Sequence, residues 1–198
     1  MNTTYQKYIP EKAIPFVQFL IEIHHFTLKI VTQRKTKHGD FRKLPNGQFQ
    51  ITVNNNLNKY QFLLTLVHEI AHHVTHQKFG RVQPHGKEWK TVFQHLMLPF
   101  LNPEIFSKEM LPFLANYLKN PKASSDSDVL LSRSLMEFDP PNEKTFIFEV
   151  VEGAKFKTCN GKLFRKGKKR RTRYEATELK SGRLYSFSPN AEIELINE

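Results

Sequence analysis

The stretch LVHEIAHHVTHQK, residues 66–78, sets four histidines and one glutamate within nine positions of an otherwise apolar segment. Unpartnered imidazoles and carboxylates are costly inside a protein, so a chain that puts them here must fold so that they have work to do. The surrounding run NNNLNKYQFLLTLVHEIAHHVTHQKFG has a 3.6-residue period, with Leu57, Tyr60, Leu64, Val67, Ala71 and Val74 on one face. Asparagines stand ready as caps at its start, and Gly80 is placed to stop it. The segment therefore reads as a long helix carrying the histidines beside its apolar stripe.

On that helix His68, Glu69 and His72 spell H-E-x-x-H. Histidines four residues apart lie one turn above each other, so both imidazoles can reach one metal ion. The glutamate sits one step round, where it misses the ion yet can touch a water beside it, the position of a general base. With imidazole ligands and no cysteine pair, zinc is the natural metal, one ion per chain, although the same nitrogens could hold iron, nickel or copper.

A catalytic zinc wants three protein ligands and one open position, and three histidines compete for the third place. His73 points about 100° away from His72 on the helix. His76 continues the row, but three rungs of a straight helix span about 12 Å and do not converge on one ion. His85 follows the Gly80 stop, where the chain can fold back across the site, and geometry favours it over His76. His24, His25, His38 and His95 show no such pattern and read as ordinary imidazoles.

Around this helix the chain reads as α+β. Residues 13–26 form an opening helix with Pro15 in its first turn. TLKIVTQRKTK and GQFQITVN alternate like strands of a small antiparallel sheet, and KEWKTVFQHLM reads as a helix burying Trp89, Val92, Phe93 and Leu96. Residues 102–119 look helical with an interruption near Pro112. NPKASSDSD and DPPNEK are polar and turn-rich, so 119–145 reads as a linker between a catalytic domain, 1–118, and a second unit, 146–198. In that second unit short alternating segments suggest a four-stranded β-meander, with Phe146, Phe148, Phe156, Phe164, Tyr185 and Phe187 as its core.

LVHEIAHH followed by HGKEWK resembles the SprT-like family of zinc metalloproteases, whose eukaryotic relatives include Spartan-type proteases that degrade proteins crosslinked to DNA. TKHGDFR, ITVNNNLN and YQFLLTLVHEIAHH resemble the same family, and the likeness covers roughly residues 14–100. It implies a zincin-like α+β core, with His68, His72 and His85 as zinc ligands. It also implies that Glu69 is the catalytic base in peptide-bond hydrolysis, taking a proton from the water that zinc activates and returning it to the leaving amine. Many family members end in a cysteine zinc ribbon. Here Cys159 is the single cysteine, so a four-cysteine site is impossible and the C-terminal unit reads as a metal-free replacement.

The net charge of +11 points to anionic partners. Residues 153–198 carry 12 Lys and Arg against 5 Glu, a net +7. Their focus is RKGKKRRTR, in which Arg165, Lys166, Lys168, Lys169, Arg170, Arg171 and Arg173 read as a hairpin arm contacting nucleic-acid phosphates. No helix-turn-helix or P-loop appears, so DNA, single-stranded or damaged, would be held through its backbone. The expectation is a monomeric, DNA-associated zinc endopeptidase. The alternative is a nucleic-acid-associated binding module with structural zinc and no peptidase activity. One cysteine, no secretory leader pattern and no long apolar run point to the cytoplasm and away from membranes.

Overall fold

A computed structural model describes residues 3–34, 36–140 and 145–196. Contacts divide the chain into two compact units, 1–140 and 141–198.

In the first unit, short 3-10 turns at Thr3–Tyr8 and Glu11–Ala13 lead into α1, Ile14–His24, with Pro15 in its first turn. The helix stops at His25, whose left-handed backbone (φ 51°) lets its N–H reach the Ile21 carbonyl at 3.1 Å. Strands β1 (Phe26–Val31), β2 (Gly39–Lys43) and β3 (Phe49–Asn54) follow, in the spatial order β1-β3-β2. The sheet is mixed, which corrects the antiparallel expectation: β2 runs antiparallel to β3, but β1 runs parallel to it, with Phe26 opposite Phe49 and Ile30 opposite Val53. Burial explains the order. Gln50 to Asn54 are all buried, as a central strand requires, whereas β2 carries Asp40, Arg42 and Lys43, which suit an edge.

Helix α2, Lys59–Phe79, packs across this sheet. Asn58 caps it, its Oδ1 accepting from the N–H groups of Tyr60 (3.1 Å) and Gln61 (3.0 Å), and Gly80 ends it at φ 68°. Burial runs almost all the way round: Leu63, Leu66 and Ile70 are as enclosed as the expected stripe of Leu64, Val67, Ala71 and Val74. A helix covered on all sides is a central core element, and one apolar stripe understates it. Helix α3, Lys87–Met97, lies against it and buries Trp89, Val92, Phe93 and Met97.

Two expectations change further on. Pro112 does not interrupt a helix begun at 102; it sits in the first turn of α4, Leu111–Lys119, where a missing N–H costs nothing. The stretch read as a linker from 119 folds onto the first unit as a 3-10 turn at Ser125–Ser127 and helix α5, Val129–Met136. Asp128 caps α5 by accepting from Leu131 N–H at 3.1 Å, and Leu131 and Leu135 are buried in the main core. Polar flanks hid this short amphipathic helix. The rest of the expected linker, 141–144, lies outside the described residues.

The second unit is a six-stranded sheet in the order β4-β9-β5-β6-β7-β8. The strands are β4 Thr145–Phe146, β5 Lys155–Lys157, β6 Leu163–Lys169, β7 Tyr174–Glu178, β8 Leu184–Phe187 and β9 Glu192–Leu195. The expected meander is β5 to β8; β9 then returns to pair with β5 and with β4, adding two strands. Its core is Ile147, Phe156, Phe164, Ala176 and Ile193, with Tyr185 and Phe187 against it. Phe146 and Phe148, expected inside, instead stack on each other at 5.9 Å and are only half-buried, and Ile147, in the turn that follows β4, takes the buried place.

Candidate metal centre

His68 and His72 project from α2 on one face, and His85 meets them from the turn before α3. Their three Nε2 atoms lie 3.1 Å (68 to 72), 3.1 Å (68 to 85) and 2.9 Å (72 to 85) apart. Each ring has one proton to share between two nitrogens, so three nitrogens aimed at one point do not satisfy one another as hydrogen bonds. They do fit a cation. Four-coordinate zinc, with bonds of about 2.0–2.1 Å, sets its nitrogen ligands roughly 3.3 Å apart, close to this triangle. Among the described residues these three form the one group of histidines, cysteines or carboxylates close enough to share an ion.

The turn delivering His85 is built for the purpose. Gln83-Pro84-His85-Gly86 closes with the Gly86 N–H on the Gln83 carbonyl at 3.0 Å. Pro84 takes the first central place and His85 the second, at φ 57°. That left-handed position usually belongs to glycine; strain of this kind persists where the surroundings hold it, typically at functional sites. Beneath the triad lies Trp89, 1% exposed, its ring 4.6, 5.3 and 4.7 Å from those of His68, His72 and His85. The sequence marked Trp89 as core; the fold makes it the floor common to all three imidazoles.

Burial sets the charge state of these groups. Desolvation, with the neighbouring imidazoles adding to it, holds His68 down to about 2 and His72 to about 4, and desolvation also lowers His85. All three are neutral at pH 7, the form in which imidazole binds a metal. Glu69, 8% exposed, is pushed up to about 8 by desolvation and by the Asp40 charge, against which Arg34 and Lys37 act. A bound dication opposes that rise, since positive charge nearby favours the carboxylate.

Glu69 lies between the triad and edge strand β2. A Cβ on Gly39 would come within 2.7 Å of Glu69 Cγ and Oε1 and 2.8 Å of Thr65 Cγ2, so glycine is needed for this approach. The residues form one wall of a cleft of about 520 Å³, whose lining includes Arg34, His38, Gly39, Thr65, Tyr117 and Asp126. His38 and Gly39 fall in the TKHGDFR stretch that resembles the family, but the sequence assigned a role to none of these six residues. The buried Tyr117 donates its hydroxyl to the Lys122 carbonyl at 3.0 Å, and burial pushes it up to about 12.

The two rejected ligands have other work. His73, fully buried, brings Nε2 within 2.7 Å of the His24 carbonyl, and so caps the end of α1. His76 packs its ring against Phe41 and Phe49, at 6.0 and 5.8 Å.

In the second unit the basic run is a β6–β7 hairpin with its turn at 170–173. It does not present all seven charges. Lys166, 5% exposed, lies over the Tyr174 ring at 4.1 Å and donates to the Val150 carbonyl, which removes it from the phosphate-contacting set because its ammonium is already used inside the unit. Arg170 pairs with Glu175 at 2.7 Å, and Arg173 bonds Ser186 through Oγ and its carbonyl, both at 2.9 Å. Arg165, Lys168 and Arg171 make no such bonds among the described residues, and the exposed Lys169 has only a distant contact with the Tyr174 ring at 5.9 Å.

An imidazole triad with an adjacent buried glutamate, on a helix packed against a mixed sheet, defines an α+β protein with a candidate metal centre. Residues 16–107 match the SprT-like family, so that segment of the chain is similar to it. Relatives named "Protein SprT" are 67% identical over 27 residues in Vibrio atlanticus (14% of this chain, 16% of that protein) and 50% over 38 residues in Pasteurella multocida (19% and 22%). The one in Yersinia enterocolitica is 42% identical over 53 residues (25% and 31%). The chain thus spans less than a third of the length of these relatives. No solved structure matches it.

Proposed function

We propose that this chain is a zinc-dependent endopeptidase with a zincin-like core, acting on proteins while associated with DNA. The observation that carries the reading is the convergence of three neutral imidazoles beside a buried carboxylate in a cleft bounded by an edge strand. His68, His72 and His85 would hold the ion, which supplies a Lewis acid that polarises the scissile carbonyl and acidifies the attacking water. Glu69 takes a proton from that water and returns it to the departing amine. Among the described residues strand β2 pairs only with β3, so its other edge offers backbone groups to an extended peptide, the main-chain recognition suited to a protein substrate.

A purely structural zinc would want a fourth protein ligand. His76 was the one at hand, and its ring is occupied between Phe41 and Phe49, which supports the open, catalytic arrangement over the binding-module reading. Arg165, Lys168, Lys169 and Arg171, exposed on the hairpin, support contact with a nucleic-acid backbone.

Zinc-loaded protein incubated with casein, with and without single-stranded DNA, tests this beside Glu69→Gln. Cleavage by the parent, reduced about 10²–10⁴-fold in the variant at equal zinc content, is the expected result. Equal cleavage by the two would remove Glu69 from the reaction, and no cleavage at one zinc per chain would favour the binding module.

A further inference from the structure

The cleft beside Glu69 is bridged at one point. One wall is Arg34 with the loop and edge strand from Thr36 to Phe41; the other wall includes Tyr117 and the stretch from Ala123 to Asp126. Between them His38 Nε2 meets Asp126 Oδ2 at 2.7 Å, joining residues 88 positions apart.

The two sides are anchored very differently. The His38 carbonyl accepts from the Asn54 N–H at 2.9 Å and from Arg34 at 3.4 Å. Asn54 Nδ2 donates to the Lys37 carbonyl at 2.8 Å, and Arg34 donates to Asn54 Oδ1 and Thr52 Oγ1 at 2.9 and 3.0 Å. Asn54 and Thr52 are buried, so this lip is tied into the central strand. The facing segment, 120–128, is a strap between α4 and α5. Its ends are rooted by Tyr117, Leu118, Leu131 and Leu135, and Pro121 is buried, but beyond it Lys122, Ala123, Ser124, Asp126 and Ser127 are exposed. Tyr117 holds the Lys122 carbonyl, and Gln61 Nε2 reaches Ser125 Oγ at 3.0 Å. A segment with so little buried apolar contact opens at low cost.

Resting on the peptidase reading above, we propose that the His38–Asp126 bond makes the cleft a bridged slot that admits an extended, unfolded polypeptide and turns away a folded surface. A single strand alongside β2 needs about 4.8 Å of width, whereas a helix with its side chains needs about 10 Å. His38 and Asp126 are specificity-determining residues: neither touches the reacting atoms, and both set what can reach them.

The test uses zinc-loaded Glu69→Gln chain and two forms of one labelled probe, reduced carboxymethylated α-lactalbumin, which has no fold, and the native disulfide-bonded protein. Fluorescence anisotropy should show the unfolded form binding at least about tenfold tighter than the native one. Asp126→Ala should shrink that ratio to about threefold or less by strengthening binding of the native form, and His38→Ala should do the same from the other wall. The double variant should add nothing, as expected when both changes break one bond. An unchanged ratio in both single variants at full zinc content overturns the slot, as does failure of the parent to bind either form. Zinc content and melting temperature identify a misfolded variant, and the two positions lie on separate elements, so either can carry the test alone. Turnover by the Glu69-containing chain is read separately: strap-dependent binding without turnover would sink the peptidase and leave the slot standing.

Discussion

Glu69 owes its position to a residue with no side chain. Because a methyl on Gly39 would meet Glu69 Cγ and Oε1 at 2.7 Å, Gly39→Ala should displace the carboxylate while leaving the triad intact. A misplacement of about 1 Å can cost roughly 10²-fold in rate, so a loss of that order in casein cleavage at undiminished zinc content is expected. His38 gives a second check. Its hydrogen bond to Asp126, with that carboxylate's charge, raises its pKa against the opposing effect of burial. A group whose pKa is higher in the folded protein contributes stability below its unfolded value of about 6.5 and loses it as pH rises through the raised one. The bond is therefore strongest in mild acid. An NMR titration should place His38 above the ordinary histidine value, and Asp126→Asn should bring it down. The motif residues were legible because their spacing alone dictates one helix face. Gly39, His38 and Asp126 were not, since their roles exist only where segments far apart in sequence meet.

Helix α2 carries the ligands, and one side chain ties its start to the end of α5. Asn58 Oδ1 caps the first turn while its Nδ2 donates to the Leu135 carbonyl at 2.9 Å and to Asp139 Oδ1 at 2.6 Å. Loss of an N-cap costs about 0.5–2 kcal/mol, and here the tie to α5 goes with it. Asn58→Ala should fall at or above the upper end of that range, read as a lower urea midpoint with an unchanged slope. The extents of α2 and α3 were legible from period, caps and the Gly80 stop. The mixed sheet was not, because alternation marks a strand without saying which neighbour it pairs with or in which direction. Helix α5 was missed for a different reason: eight residues give too little periodicity to stand out from polar flanks.

Across the whole molecule the chemistry-bearing histidines fall in the first unit and the densest positive charge in the second. If the second unit holds a nucleic-acid backbone, each neutralised phosphate contributes about 0.9 to the slope of log affinity against log salt. Arg165→Gln, Lys168→Gln and Arg171→Gln should each lower that slope by up to this amount in a filter-binding series. Lys166→Gln should leave the slope unchanged and lower the melting temperature, because that ammonium bonds the Val150 carbonyl and lies over Tyr174.

By itself the sequence determined what local spacing and residue chemistry can specify: a long capped helix, two imidazoles one turn apart on it with a carboxylate beside the first, a third histidine beyond a glycine stop, and a basic hairpin. Only tertiary structure decided that β3 is central and β2 the edge beside Glu69, that Lys166 is buried and four other charges are presented, and that a supposed linker forms a cleft wall. Helical period and capping act over a few residues, whereas pairing partners, burial and the width of a cleft depend on which distant segments come to share the same space.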